Sequence, residues 1–174
     1  TYQDTVALPS GCSDLMLTYS HCCRNASTTN VSSAGTYDLI ASAAVNTNLC
    51  NQAPKFETPP MAYICAGTAA RVTTSLPESD GDSLRYSLVR ALDNAGGNIA
   101  WVGGTPFGTT GYTFDNETGA LQINFSTTGI YLFDILVEEY RNGTKIGEVR
   151  RTMNYQVINC TGNTPQVDSI GYYD

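Results

Sequence analysis

The chain is poor in basic residues, in histidine and in long apolar runs. Lysine and arginine number 9 against 16 acidic residues, which gives a net charge of −7. This balance argues against nucleic acid as a partner, because phosphate binding needs a basic surface. A single histidine and the absence of any Cys-x-x-Cys pair argue against a zinc site. No apolar run approaches the ~20 residues that span a bilayer, so we expect no membrane insertion.

What the chain does contain is apolar content and cysteine. Hydrophobic residues make up 41% of the sequence, enough to fill a core, while only 14% of the residues are charged, a low fraction for a cytosolic protein. The six cysteines are an even number in a background of Thr, Ser, Asn and Gly. This combination is typical of disulfide-bonded proteins in an oxidising compartment, and we expect an extracellular or cell-surface location.

Period-2 alternation of apolar residues predicts an all-β protein built of sandwich modules. Residues 1–50 contain few strands, so we expect a small, disulfide-rich first module, or alternatively the C-terminal half of an Ig-like domain. The stretch 51–60 is polar, contains prolines and interrupts the strand pattern, so we expect a linker there. Regularly spaced strands over 61–160 predict an antiparallel β-sandwich. Residues 161–174 are predicted to be a tail or a linker to a further module.

The cysteines divide into a group of four and a separate pair: Cys12, Cys22, Cys23 and Cys50, then Cys65 and Cys160. Since Cys22 and Cys23 are adjacent in a strand, they point to opposite faces and seldom bond to each other. We therefore expect each of them to bond one of the other two members of the group, and which goes with which is open. Cys65 and Cys160 lie at opposite ends of the second module, whose first and last strands are often neighbours, so a bond between them is predicted.

An acidic turn precedes one of the strands of the second module. Asp80 and Asp82 flank Gly81, which permits a tight reversal. Two carboxylates held this close repel each other unless a cation lies between them, and Ca²⁺ is the hard cation that prefers such oxygen ligands. The alternative is a solvated acidic turn, since Asp and Gly occupy turns for backbone reasons alone.

Several motifs together resemble a known family of surface modules. They are Asn51-Gln52-Ala53-Pro54-Lys55-Phe56, Ser79-Asp80-Gly81-Asp82-Ser83-Leu84, Cys22-Cys23-Arg24-Asn25 and Glu139-Tyr140-Arg141-Asn142-Gly143. They are similar to cadherin-like and Ig-like repeat modules of secreted Bacteroidota surface proteins, including gliding-motility adhesins exported by the type IX system.

This resemblance implies tandem modules in which calcium binds at the junction. The ligands carried over from the family are the turn residues Asp80 and Asp82, the linker residue Asn51, and Glu138 near the end of a late strand. Family members often place Asp where Glu138 stands. The resemblance also implies O-glycosylation at Asp-Ser/Thr-aliphatic sequences, which here contain Thr5, Ser83 and Ser169. The alternative for these three positions is ordinary surface turns.

The resulting functional hypothesis is a structural and adhesive module of a large cell-surface protein, rigidified by disulfides and calcium. Its partners would be neighbouring modules of the same chain and an extracellular polysaccharide or protein. The alternative is a carbohydrate-binding module in which Trp101, Tyr112 and the acidic turn form the sugar site. We expect no enzyme, because the only candidate nucleophile and base, Cys22 and His21, lie beside a further cysteine.

Overall fold

The computed structural model describes residues 5–57, 61–108 and 111–160. The strands are β1 (Leu15–His21), β2 (Leu39–Val45), β3 (Met61–Cys65), β4 (Ala69–Thr73), β5 (Ser83–Val89), β6 (Tyr112–Phe114), β7 (Ala120–Asn124), β8 (Gly129–Arg141) and β9 (Thr144–Ile158). The only helical segments among the described residues are two single 3₁₀ turns, Ala34–Thr36 and Val102–Gly104. The predicted all-β class is therefore confirmed.

The strands form two sheets that pack face to face, as in a β-sandwich. The larger sheet has the order β1-β2-β9-β8-β5, and the smaller has the order β4-β7-β6. The 15 residues of β9 allow it to pair with two different strands on one edge. Its first half is antiparallel to β2, and its second half is parallel to β3. All other strand pairs in the described residues are antiparallel.

An aromatic core fills the space between the sheets. Phe107 packs edge-on against Phe125 and Phe133 with ring centroids 5.4 and 5.2 Å apart, and Phe133 packs in the same way on Tyr155 at 4.8 Å. Such T-shaped contacts suit the aromatic quadrupole. The Tyr131 hydroxyl donates to the Thr127 carbonyl at 3.0 Å, which has the form of a tyrosine-corner contact near the start of β8.

A loop layer covers the outer face of the larger sheet. Val31 and Ala34, from the connection between β1 and β2, pack with Ala91, Ile99 and Leu132 in a second apolar cluster. Because of this cover, β8 is buried on both faces over much of its length instead of on the single face that its alternation predicted.

Two polar side chains fasten this loop layer. Asn30 donates to the carbonyls of Pro106 and Leu132 at 2.6 and 2.7 Å and accepts from the Leu132 N–H at 2.8 Å. Arg24, only 4% exposed, donates to the Thr152 hydroxyl and the Leu92 carbonyl. Burial lowers the pKa of Arg24, and nearby Asp134 partly opposes that effect.

The first fifty residues share one sheet with the rest of the chain. Residues Ser42–Val45 of β2 pair with Gly147–Arg150 of β9, and Thr28 forms a parallel bridge to Ile130. The predicted linker therefore connects two parts of one sheet. Alternation identifies strands but carries no information about distant partners, which is why the sequence suggested a separate first module. Residues 58–60 and the predicted tail 161–174 lie outside the described residues.

The disulfides agree with the sequence analysis in part. Cys65 and Cys160 are bonded, with Cα atoms 5.4 Å apart, because parallel pairing brings the end of β3 beside the end of β9. Cys22 and Cys23 are bonded to each other, and Cys12 and Cys50 are free thiols, contrary to the predicted pairings.

Strand register explains this difference. Cys12 and Cys50 lie beyond the end of the β1–β2 ladder where Leu15 pairs with Val45, whereas Cys22 and Cys23 follow its opposite end. Seven strand residues span about 23 Å, far beyond the reach of a disulfide. Both adjacent cysteines also follow the last residue of β1, so the strand alternation assumed for them does not apply.

Candidate cation site at the acidic turn

The acidic turn is shaped by a third carboxylate, that of Glu78. Its two oxygens accept hydrogen bonds from the backbone N–H groups of Asp80 and Asp82 at 2.8 and 2.7 Å. Gly81 supplies the positive φ of 82° that the reversal requires. The turn thereby places Asp82 immediately before Ser83, the first residue of β5, and beside the end of β8.

Arg141 is the basic side chain that pairs with the turn. Its Nε and one terminal nitrogen donate to the two carboxylate oxygens of Asp82 at 2.7 and 2.6 Å, and the same terminal nitrogen lies 3.7 Å from Asp80. The two-pronged hydrogen bond from Arg141 lowers the pKa of Asp82. The repulsion between Asp80 and Asp82 was the reason to expect a metal. Arg141, a side chain of the protein itself, relieves that repulsion. A β-bulge between Glu139 and Tyr140 precedes it.

The segment Cys50–Gln52 is fastened to the same group of side chains. Arg141 donates to the Cys50 carbonyl at 3.2 Å and to the Asn51 side-chain oxygen at 2.9 Å. The Gln52 N–H donates to Asp80 at 2.7 Å. The segment therefore contacts the acidic turn through direct protein hydrogen bonds.

Glu139 is a fully buried carboxylate at the centre of this region. Its Oε2 accepts from the Asn51 amide at 2.5 Å, whereas its buried Oε1 has no hydrogen-bond partner among the described residues. Burial is the main cause that raises the pKa of Glu139, and nearby Asp82 and Glu78 raise it further. Gly147 stands opposite, where an added Cβ would lie only 3.1 Å from Oε2, so this glycine leaves room for the carboxylate.

Three carboxylates converge here: one oxygen from each of Glu78, Asp82 and Glu139 lies within 4.8 Å of the others. We call these three residues the acidic cluster. Hard cations such as Ca²⁺ take ligands of this kind, together with amide oxygens such as that of Asn51. An unpartnered buried carboxylate oxygen is costly, and a bound cation would satisfy it.

Of the ligands carried over from the family, Asp82 and Asn51 meet in this region and Asp80 borders it. Glu138 does not, because it lies on the other face of β8, where it accepts from Lys145 at 2.6 Å. Adjacent strand residues point to opposite faces, so a shift of one position replaces Glu138 by Glu139. The signal for Glu139 was present in the sequence, since it continues the inward series of alternate residues that begins at Tyr131.

The side chains proposed for a sugar site lie elsewhere. Trp101 is partly buried against the core and donates to the Leu132 carbonyl at 3.3 Å. Tyr112 packs edge-on against Phe107 with centroids 5.1 Å apart. Neither aromatic ring therefore forms an exposed platform with the acidic turn.

Other candidate residues are placed as follows. His21 is exposed and stacks on Tyr19, and its neighbour Cys22 is in a disulfide, so this pair offers no catalytic thiol. Thr5 and Ser83 are exposed, Ser83 donates to the Tyr140 carbonyl, and glycosylation at both positions stays a prediction. Ser169 lies outside the described residues. Within the described ranges, no helix is long and apolar enough to cross a membrane.

No model of a known protein family matches the chain, and no curated protein matches it. Function must therefore be argued from the acidic cluster and from the surfaces of the fold.

Proposed function

We propose that this chain is a structural and adhesive module of a large secreted bacterial surface protein. In this proposal it belongs to the cadherin-like and Ig-like repeat modules of Bacteroidota, lies outside the cell, and has no catalytic activity. Its partners are neighbouring modules and an extracellular polysaccharide or protein. Support comes from the sandwich architecture and from the Cys65–Cys160 bond, which suits an oxidising compartment.

The observation that carries the proposal is the fastening of Cys50–Gln52 to the sandwich around a buried carboxylate. Asn51 bonds to Glu139, and Arg141 bonds to Asp82 and to Asn51. An arrangement of this kind fixes the path of the chain between β2 and β3. A surface module that transmits tension along its chain would need such a fixed path.

Calcium is part of the proposal, with ligands revised by the structure. Glu78, Asp82 and Glu139 would hold the ion. Asn51 would add its amide oxygen after a rotation of the amide, because its nitrogen now faces Glu139 and its oxygen accepts from Arg141. The residues fit a hard cation because the donor set is all oxygen and because buried Oε1 of Glu139 has no other partner among the described residues. Bound calcium would neutralise the acidic cluster and stabilise the folded state.

Thermal melting in calcium and in chelator tests this proposal. At ~100 times Kd a ligand that binds only the folded state adds about 2.7 kcal/mol, which for a chain of this size raises Tm by roughly 5–10 °C. Glu139→Gln should abolish the increase. Glu138→Gln is the matched control, since it makes the same chemical change on the opposite face, and it should respond as the parent does.

Two outcomes would contradict the calcium proposal. One is a parent protein that melts at the same temperature in both buffers. The other is a Glu139→Gln variant that retains the full response, which would move any calcium to a different place. The carbohydrate-binding alternative has less support, since Trp101 and Tyr112 contribute to the packed core.

A further inference from the structure

β1 forms an exposed edge of the larger sheet. Its register runs residue by residue against β2, and no other described strand pairs with its second edge. Six of its seven residues are exposed. An edge strand presents unpaired N–H and C=O groups to any extended segment that approaches it.

The side chains of β1 are unusual for an exposed edge. Met16 and Tyr19 are each 53% exposed and Leu17 is 41% exposed. Val6 and Leu8, also exposed, line a shallow groove beside Leu17 and Tyr19 on one face of the strand. Exposed apolar side chains that cluster in this way mark interaction surfaces more often than isolated ones do.

β1 also lacks the features that usually keep an edge strand from pairing. Its sequence Leu-Met-Leu-Thr-Tyr-Ser-His contains no aspartate, glutamate, lysine, arginine or proline, and its pairing with β2 has no bulge. Natural edge strands are commonly protected by one of these devices. The open edge is therefore suited to pairing with another strand.

Charge indicates which strand can approach. The protein carries a net charge of −7, so two copies repel each other over most of their surfaces. β1 is an uncharged strip in this acidic surface, and a second uncharged strip of the same chain can lie against it without opposing like charges.

The strand is self-complementary in antiparallel register about its central residue. With Thr18 opposite Thr18 of the second copy, Leu17 faces Tyr19 and Met16 faces Ser20, each pair on one face of the joint sheet. Cross-strand pairs of an aliphatic and an aromatic side chain stabilise such a ladder. A two-fold axis through Thr18 relates the two copies, which is the commonest symmetry of protein dimers.

We propose that β1 is a self-association edge, through which two copies of this chain pair antiparallel and join their larger sheets into one. The inference goes beyond the proposed function and does not depend on calcium. A single strand of about 23 Å with its flanking groove makes a small interface, so the association is reversible and concentration-dependent.

Sedimentation equilibrium of the full chain, with the free thiols of Cys12 and Cys50 alkylated beforehand, tests the proposal. The weight-average mass should rise from 18.7 kDa toward twice that value as protein concentration increases. Thr18→Lys places two ammonium groups opposite each other at the axis and should hold the mass at the monomer value. Tyr63→Lys, at an aromatic residue of β3 that is 68% exposed, is the matched control and should associate as the parent does.

Three results would overturn the proposal: a monomer at every concentration, a Thr18→Lys variant that associates as the parent does, or a Tyr63→Lys variant that loses association equally. If the protein is monomeric, amide hydrogen exchange shows whether the outer edge of β1 is covered by the same chain or is open to solvent. In a monomer, protection of those β1 amides that point away from β2 would show that another part of the same chain covers the edge. A Tm of Thr18→Lys equal to that of the parent, measured at a concentration low enough to keep the parent monomeric, verifies that the variant is folded.

Discussion

Asn30 is the residue whose replacement most directly tests the architecture. It lies in the first fifty residues, yet all three hydrogen bonds of its side chain reach backbone groups of the second part of the chain. Asn30→Ala removes these bonds without touching the aromatic core. Any loss of stability therefore reports on the attachment of the loop layer to β8.

The structure sets the magnitude of this loss. The Leu132 carbonyl keeps a second donor, the indole of Trp101, so two groups are left unpaired: the Leu132 N–H and the Pro106 carbonyl. Each unpaired buried group costs about 1–3 kcal/mol, so the variant should lose about 2–6 kcal/mol. For a chain of this size, the midpoint of that range lowers Tm by roughly 10 °C.

Urea and thermal unfolding, followed by far-ultraviolet circular dichroism and by tryptophan fluorescence, provide the measurement. Because β2 and β9 share a sheet, we expect one transition in which both signals coincide. Asn48→Ala is the control, since Asn48 is exposed, and it should stay within about 0.5 kcal/mol of the parent. A loss for Asn30→Ala no larger than that of the control would refute the reasoning, as would an early, separate transition of the first fifty residues.

Two further predictions concern single side chains. In chelator, the contribution of Glu139 to stability should be greatest below the ordinary glutamate pKa and should be lost as the pH rises through its raised pKa, because only the folded state then holds the proton. Urea titrations across pH should show this decline in the parent and in Glu138→Gln, and its absence in Glu139→Gln would attribute it to that carboxylate. Tyr131→Phe should lose about 0.5–1.5 kcal/mol through the missing bond to Thr127, and a stability equal to that of the parent would contradict a role for the corner contact.

The strands themselves were predictable from the sequence because their signals are local. Period-2 alternation predicted an all-β chain, and the regular spacing of strands predicted a sandwich for 61–160. Tyr131, Phe133 and Ile135 of β8 are an example of that alternation. The pairing of β2 with β9 was not predictable, because these strands are about a hundred residues apart and no local pattern encodes their contact. A module boundary was expected at 51–60 because the sequence does not show that β2 pairs with β9.

The candidate site shows the same division. The turn of Asp80 and Asp82 was recognised from a local motif, but its counter-ion Arg141 comes from another strand. Glu139 was predictable in principle, since the inward series of β8 runs through it. A carboxylate is ordinarily expected on the protein surface, because burying one costs free energy. In this structure Asn51 donates a hydrogen bond to Glu139, and Gly147 leaves room for its side chain.

The Cys65–Cys160 bond determines how the chain would respond to mechanical tension. A force applied along the backbone from the first strands to a point beyond Cys160 crosses this covalent link and bypasses the 95-residue segment that it closes. At about 3.3–3.6 Å per extended residue, the link withholds roughly 310–340 Å of contour length. The load instead reaches the strands before the disulfide, β1, β2 and β3. It acts on the four-residue ladder between β2 and β9 and on the parallel ladder between β3 and β9, so these elements would detach first while the aromatic core stays folded.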